Sequence, residues 1–376
     1  MADKATFPSD TMSTHLVHPP GVAALDRWGL LERLTATGCP SVSTYTFDFG
    51  SLAITGSPRP INGICMAYGP RRTVLDLLLV DAAVEAGAEL RQAFTVDQLL
   101  IEDGQVTGIR GHAKGGASVI ERARVVVGAD GRYSVVAKSV QPVRYHERPP
   151  LEASYYAYWS GVPTDGFEGY IRPDRACGAI PTHDGLTCVV VGWPHSEFET
   201  NRGDIEGSYL ETLELMPEFA ERVRAGTRQT RFVGTGDLPN FFRKPYGPGW
   251  ALVGDAGYHK DPITAQGISD AFRDAELLAD ALDDSFTDRR SFDEAMAGYQ
   301  RTRDDAALPM FEFTCQLATL EPPPPDMQQL LDAVHGNQEA MDGFVSMAAG
   351  TVPVPEFFAP NNVERIMTKA GALHTS

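Results

Sequence analysis

Two periods of apolar residues alternate along the chain, and the switches between them mark out its elements. Residues 21–31 follow Pro19-Pro20 and carry Val22, Leu25, Trp28 and Leu31 at helical spacing, which predicts an amphipathic helix. Residues 43–68 alternate apolar and polar, as strands do, around the turn-forming run Gly56-Ser57-Pro58-Arg59-Pro60. A second helix is predicted over 73–85, closed by Ala86-Gly87, where glycine suits a helix C-terminus. Strand-like runs follow at 89–94, 96–102, 106–111 and 118–121, with Asp103-Gly104 as a hairpin turn between the second and third. A further apolar run at 124–127 leads into Gly128-Ala129-Asp130-Gly131.

The texture changes near Pro149. Tyr155, Tyr156, Tyr158 and Trp159 open a series of strand-like runs that ends at Gly192-Trp193. One face of this aromatic series is a candidate pocket lining, although alternation of this kind first predicts sheet core. Helical segments over 205–225 and a strand over 230–236 follow. Beyond residue 282 the pattern predicts a helix near 291–308, a break at Pro322 to Pro325, and one more helix over 326–347.

The block from 250 to 282 carries the most chemistry. A short apolar run, Ala251 to Val253, stops at Gly254-Asp255; a loop containing Pro262 follows, and a long amphipathic pattern begins near Ala265. Strand, acidic turn, loop and helix in that order place a carboxylate and a helix N-terminus at one sheet edge. Sugar hydroxyls of a ribose- or ribityl-bearing cofactor donate to such a carboxylate, and free N–H groups at the helix start meet negative charge on the ligand.

Composition narrows the partners. The 376 residues are 43% hydrophobic, enough for more than one packed unit. A net charge of −18 and dispersed basic pairs argue against nucleic acid, because phosphate binding needs clustered Lys and Arg. Five widely spaced cysteines without a Cys-x-x-Cys suggest neither a zinc site nor a disulfide framework and fit a reducing cytoplasm. No apolar stretch reaches the ~18 residues of a membrane span.

Together, Gly128-Ala129-Asp130-Gly131, Gly254-Asp255-Ala256 and the Arg72-x-x-Leu75 that opens the second helix resemble the FAD-dependent monooxygenase superfamily of p-hydroxybenzoate hydroxylase-like aromatic hydroxylases. The resemblance implies an α/β fold: a three-layer FAD-binding domain with a mostly parallel sheet, and an inserted mixed-sheet substrate domain. It divides the chain into 1–148 and 241–310 as the two parts of the FAD-binding domain, with substrate-domain strands near 43–68, then 149–240 as the substrate domain and 311–376 as a helical C-terminal segment. It implies FAD as cofactor, NAD(P)H as co-substrate, and a small organic substrate oxidised with O2. Asp255, preceded by Gly254, matches the residue that holds the ribityl chain. Pro262, Ala265, Gln266, Gly267 and Ile268 match the segment running past the flavin ring, with Ala265 standing where the family usually has glycine. Asp130 and Gly131 match a motif linked to both FAD and the nicotinamide, and Arg72 matches the arginine at the helix start. His15, His18 and His259 are reserve candidates for chemistry; loop histidines more often serve as hydrogen-bonding groups than as acid–base catalysts.

A fold of this kind begins with a strand, a Gly-x-Gly-x-x-Gly turn, a helix and a second strand ending in an acidic residue. Asp3 matches that acidic end, so the resemblance implies a chain that starts about 30 residues into such a unit. The glycine turn that cradles the pyrophosphate is then missing, and the chain as written is expected to bind FAD weakly. Two alternatives stand beside an NAD(P)H-driven monooxygenase. One is a flavin reductase of isoprenoid double bonds; the other is a truncated, non-catalytic remnant. A halogenase is disfavoured, because no Trp-x-Trp-x-Ile-Pro run is present.

Overall fold

A computed structural model describes residues 1–13 and 15–373. Its largest sheet has eight strands: seven run in order from Thr227–Arg228 through Glu152–Ser160, Leu186–Pro194, Arg175–Pro181, Phe167–Arg172 and Tyr45–Asp48 to Ala53–Gly56, and the eighth, Val233–Thr235, also pairs with Glu152–Ser160. Glu152–Ser160 and Leu186–Pro194 pair antiparallel along their full length, from Glu152 opposite Pro194 to Ser160 opposite Leu186. Tyr45–Asp48 joins in parallel beside Phe167–Arg172, so the early strands complete the middle sheet.

Period-two alternation splits the aromatic series between two cores. Tyr155, Ala157 and Trp159 pack under the helices Ile205–Leu213 and Pro217–Ala225, against Tyr209, Leu213, Phe219 and Val223. Tyr156 and Tyr158 face the other way, into a core with Tyr45, Leu330, Phe344 and Val345. That second face is covered by the helices Pro325–Val334 and Gln338–Ala348.

A second body of structure flanks this sheet. Val126–Gly128 and Trp250–Leu252 lie parallel, with Tyr246–Gly247 antiparallel at the outer edge. The meander Phe94–Glu102, Gln105–Ala113 and Ser118–Arg122 turns at Asp103-Gly104 as expected. Ala2 pairs parallel with Arg91, and the Asp3 N–H donates to the Arg91 oxygen at 2.9 Å. The long helices Gly267–Phe286 and Phe292–Leu317 pack together behind Ala251, through Leu278, Ala281, Met296 and Tyr299. No described helix is long and apolar enough to cross a membrane.

Helix boundaries depart from the sequence pattern where glycine and proline act. The first helix is Pro19–Arg27; Gly29, at φ +70°, stops it, and Leu31 begins a separate turn. Pro309 does not end its helix, which runs on to Leu317 because Phe311, Thr314 and Cys315 beyond it are buried. Pro325, read as a breaker, instead starts a helix at its first position, where a missing N–H is harmless. Gly336, at φ +79°, divides the expected 326–347 helix in two, and the helices Val354–Phe357 and Pro360–Leu373 follow.

Candidate functional site

The parallel strand Trp250–Leu252 delivers the chain to a tight turn at Gly254–Ala256. Gly254 takes φ +57°, a conformation in which a side chain is strained, and its α-carbon faces Ala271 of the long helix. Asp255 is exposed, and its carboxylate has no hydrogen-bond donor among the described residues. It is therefore free to accept from a ligand. The Nδ1 of His259, three residues beyond this turn, lies 2.5 Å from the Pro239 oxygen and must donate to it, which fixes the tautomer. Burial lowers the His259 pKa, and the nearby Asp255 charge opposes that shift.

From His259 the chain enters a one-turn helix, Pro262–Thr264, started by the Asp261 side chain accepting the Ile263 N–H at 3.0 Å. Ala265 then adopts φ +52°, ψ +27°. This left-handed conformation explains why glycine suits the position, since a β-carbon there costs about 1–2 kcal/mol. The reversal aims the chain into the helix Gly267–Phe286. The Asp270 N–H makes the first helical bond, to Gln266, so the N–H groups of Gly267, Ile268 and Ser269 have no backbone acceptor among the described residues. Gly267 is exposed, and a β-carbon built on it would meet nothing within 4 Å. Gln266 is buried, and its side-chain amide donates to the Ala348 oxygen at 2.8 Å.

Buried polar contacts fix this turn from below. Thr264 Oγ1 pairs with Thr314 Oγ1 at 2.9 Å, and the Thr264 oxygen accepts from His18 Nε2 at 3.1 Å. Lys260 is buried and forms an ion pair with Asp270, whose other oxygen takes Arg273 at 2.8 Å. These cations, foremost Lys260, hold the Asp270 pKa at about 2 against the opposing effect of burial. His15 is fully buried at φ +61°, its Nε2 bonded to the Tyr158 hydroxyl, while its Nδ1 has no partner among the described residues. Burial, reinforced by Arg72, Arg71 and His183, lowers its pKa to about 3, so the imidazole is neutral. The Arg71 guanidinium lies 4.1 Å from the centre of the Tyr158 ring.

The remaining candidates are committed to the chain itself. Arg72 Nε and Nη2 donate to the Asp76 carboxylate on the same helix at 2.7 and 2.9 Å. Asp130 Oδ2 accepts the Val135 N–H at 2.6 Å and so holds the turn into the helix Val135–Val140; Gly131 bends that turn at φ +74°. Asp3 accepts the Ala5 N–H at 2.7 Å. The structure thus gathers Asp255, Pro262, Ala265, Gln266, Gly267 and Ile268 at one sheet edge, with His18 and His259 adjoining, while Asp130 and Asp3 accept from the local backbone and Arg72 pairs with the Asp76 carboxylate. Lys260, Asp261, Asp270 and Glu152 went unmarked in the sequence. Asp270, Arg273 and Asp274 on consecutive turns were the one available signal.

An uncommitted carboxylate beside a helix start with three free N–H groups and an open glycine fits a ribityl chain and flavin ring. Comparison with known proteins points to FAD for the chain as a whole. The family model described as FAD binding domain matches residues 1–189, just over half of the 376. The chain is 27% identical over 267 residues to digeranylgeranylglycerophospholipid reductase 1 of Methanopyrus kandleri, covering 68% of each. It is also 27% identical to 6-methylpretetramide 4-monooxygenase of Streptomyces rimosus, over 78% of this chain and 72% of that one. Among solved structures, the FAD-dependent halogenase CndH, of myxobacterial origin, superposes with a TM-score of 0.78 at 19% identity, over 98% of this chain and 90% of that one. The chain belongs to the FAD-binding domain family, and its fold is that of flavin-dependent oxidoreductases.

Proposed function

We propose that this protein is an NAD(P)H-driven, FAD-dependent monooxygenase acting on a small aromatic or polyketide-like substrate. The observation that carries the reading is the free Asp255 carboxylate beside the open N-terminus of Gly267–Phe286. FAD would supply the redox chemistry: it takes reducing equivalents from NAD(P)H and activates O2. The chain supplies position and field. Asp255 accepts from the ribityl hydroxyls, and the N–H groups of Gly267 and Ile268 stabilise negative charge on the ring. Tyr158 and neutral His15 hold one proton between the hydroxyl oxygen and Nε2, on the face of the middle sheet that also bears Tyr45, the other partner of His18.

A cavity of about 560 Å³ supports the substrate class. Leu151, Phe313, Met327, Val354 and Phe358 give it an apolar wall, and its charged lining residues, Arg148 and Glu312, pair with each other at 3.8 Å. Thr314, the neighbour of lining residues Phe313 and Cys315, holds Thr264. That size and lining suit an organic molecule of a few rings.

Similarity to the Methanopyrus reductase favours a second reading, reduction of an isoprenoid double bond. One experiment separates the two. Flavin-loaded protein is given NAD(P)H with candidate aromatics or an isoprenoid alkene, under isotopically heavy O2 and without oxygen, and products are weighed by mass spectrometry. Incorporation of one heavy oxygen atom supports the monooxygenase. Turnover that persists without oxygen supports the reductase, and NAD(P)H oxidation that no aromatic stimulates counts against hydroxylation.

A further inference from the structure

Glu152 opens the first long strand of the middle sheet, and Asp261 immediately precedes Pro262. Both side chains are buried, with residue exposures of 3% and 1%. Glu152 lies over Gly192, where a β-carbon would sit 2.0 Å from Glu152 Oε1, so glycine is needed to admit the carboxyl group. Asp261 is fixed from the other side, its N–H donating to Asn240 Oδ1 at 2.7 Å and its Oδ1 capping Ile263. The two carboxyl groups are within hydrogen-bonding reach of each other. Glu152 Oε2 and Asp261 Oδ2 are nevertheless both without a donor among the described residues.

Two buried carboxylates face to face are unstable, through repulsion and through two unsatisfied acceptors. Among the described residues, no neighbouring cation resolves this. Lys260 is paired with Asp270, and Arg243 donates to the Ala256 oxygen. Arg148 pairs with Glu312 at 3.8 Å, half-exposed. From the helix Phe292–Leu317 the near titratable group is Cys315, whose thiol is pushed up to about 12, mainly by burial, and so stays neutral. His259 is turned to Pro239, the strand Leu186–Pro194 offers Gly192, and the strand Asn240–Arg243 offers Asn240, whose amide goes to Pro149 and Leu238.

We propose that Glu152 and Asp261 share a single proton, and that this bond pins the Pro262–Gly267 turn to the middle sheet, making flavin affinity fall when the proton is lost. One O–H···O bond between them satisfies both orphaned oxygens and removes one charge. Burial, with Asp261 as neighbour, raises the Glu152 pKa well above the usual range; burial raises that of Asp261 to about 6. Glu152 is therefore the donor. Because both groups are raised on folding, the stabilisation is complete below the unfolded carboxylate values and is lost as pH rises through about 6 and beyond. The link to flavin rests on reading residues 262–267 as the ring-facing turn.

The test compares the whole chain with its E152Q and D261N variants from about pH 5 to about pH 9. Three quantities are read: apoprotein melting temperature, flavin affinity by fluorescence quenching, and the infrared carbonyl band of a protonated carboxylic acid. In the wild type the band is present at acid pH, and flavin affinity drops at least about tenfold towards alkaline pH, one pKa unit's worth of linkage. E152Q donates to Asp261 from an amide that does not titrate, so it loses the pair's share of the band, leaving that of buried Asp274, whose pKa burial raises to about 6, and it keeps its affinity across the range. D261N, with the Ile263 cap preserved, also flattens the profile. Superposable melting profiles for wild type and E152Q, or a carboxylic-acid band that E152Q does not diminish, overturn the shared proton. Profiles that differ in melting but not in flavin affinity overturn the link to the turn. Absence of flavin binding at every pH overturns the functional reading alone, because melting and infrared still decide the shared proton.

Discussion

The imidazole Nε2 of His18 lies 3.1 Å from the main-chain oxygen of Thr264, tying the segment before the first helix to the turn before the long one. A carbonyl only accepts, so Nε2 carries the hydrogen and Nδ1 must accept from the Tyr45 hydroxyl, 3.0 Å away. The ring is neutral and its tautomer fixed. Burial lowers its pKa to about 4. Between about 6.5, the ordinary value, and about 4 the unfolded chain takes up a proton that the folded chain refuses, so stability falls as pH falls. His18→Ala should cost about 1–3 kcal/mol at neutral pH, two hydrogen bonds' worth. It should lose less on acidification than the wild type, and bind flavin more weakly. Urea midpoints at neutral and mildly acidic pH check this; a variant that tracks the wild type at both pH values removes His18 from the argument.

Ala265 tests the turn from the opposite direction. Its φ of +52° is strained for alanine, and Ala265→Gly relieves the strain while making the unfolded chain more flexible. The balance should be a gain of up to about 1 kcal/mol in stability. Ala265→Val should lower it by more than that, since a branched β-carbon tolerates this region least. Equal melting temperatures for the glycine and valine variants would show that the turn is not held left-handed in solution.

Arg303 is fully buried where the long helices meet the smaller strands. Its guanidinium donates to the Arg243 oxygen at 3.0 Å and the Tyr145 hydroxyl at 2.7 Å, and pairs with Asp304. Removing it leaves a buried carbonyl and one carboxylate oxygen without this donor, so Arg303→Met should cost about 3–5 kcal/mol. Arg303→Lys should recover only part of that, because one ammonium cannot span the same acceptors. Denaturant unfolding measures both; a fully stable lysine variant would mean the fork geometry is irrelevant.

The elements legible in the sequence were those whose signal is local. Alternation at Tyr155 to Trp159 predicted two faces, and the two cores follow it. Gly254-Asp255 announced an acidic turn because a strand ending in glycine and aspartate needs no distant partner to be recognised. The polar supports of that turn were not legible. Glu152 meets Asp261, and His18 meets Thr264, only after the sheet and the helices have closed, and neither pair leaves a periodic trace. Proline and glycine misled for a related reason. Pro309 forfeits a helical bond, but burial of Phe311 beyond it outweighs that loss. Gly336 weakens a helix by only about 1 kcal/mol, too little for the pattern alone to place a break.

Asp255 separates cofactor binding from folding. Its carboxylate is exposed and receives no hydrogen bond from the described residues, so the fold does not depend on it. Asp255→Ala should leave the apoprotein within about 0.5 kcal/mol of the wild type, as surface changes usually do. A charge-assisted bond to a ribityl hydroxyl is worth about 1.5–3 kcal/mol, so flavin affinity should fall by roughly ten- to a hundredfold. Asp255→Asn keeps an acceptor oxygen but loses the charge, and should fall between the two. His259 adds a further readout. The Asp255 charge raises its pKa against the effect of burial, so Asp255→Ala should lower the His259 titration further, visible in its ring proton shifts. Undiminished flavin binding in Asp255→Ala would place the ribityl chain elsewhere, even if the His259 titration moves as expected.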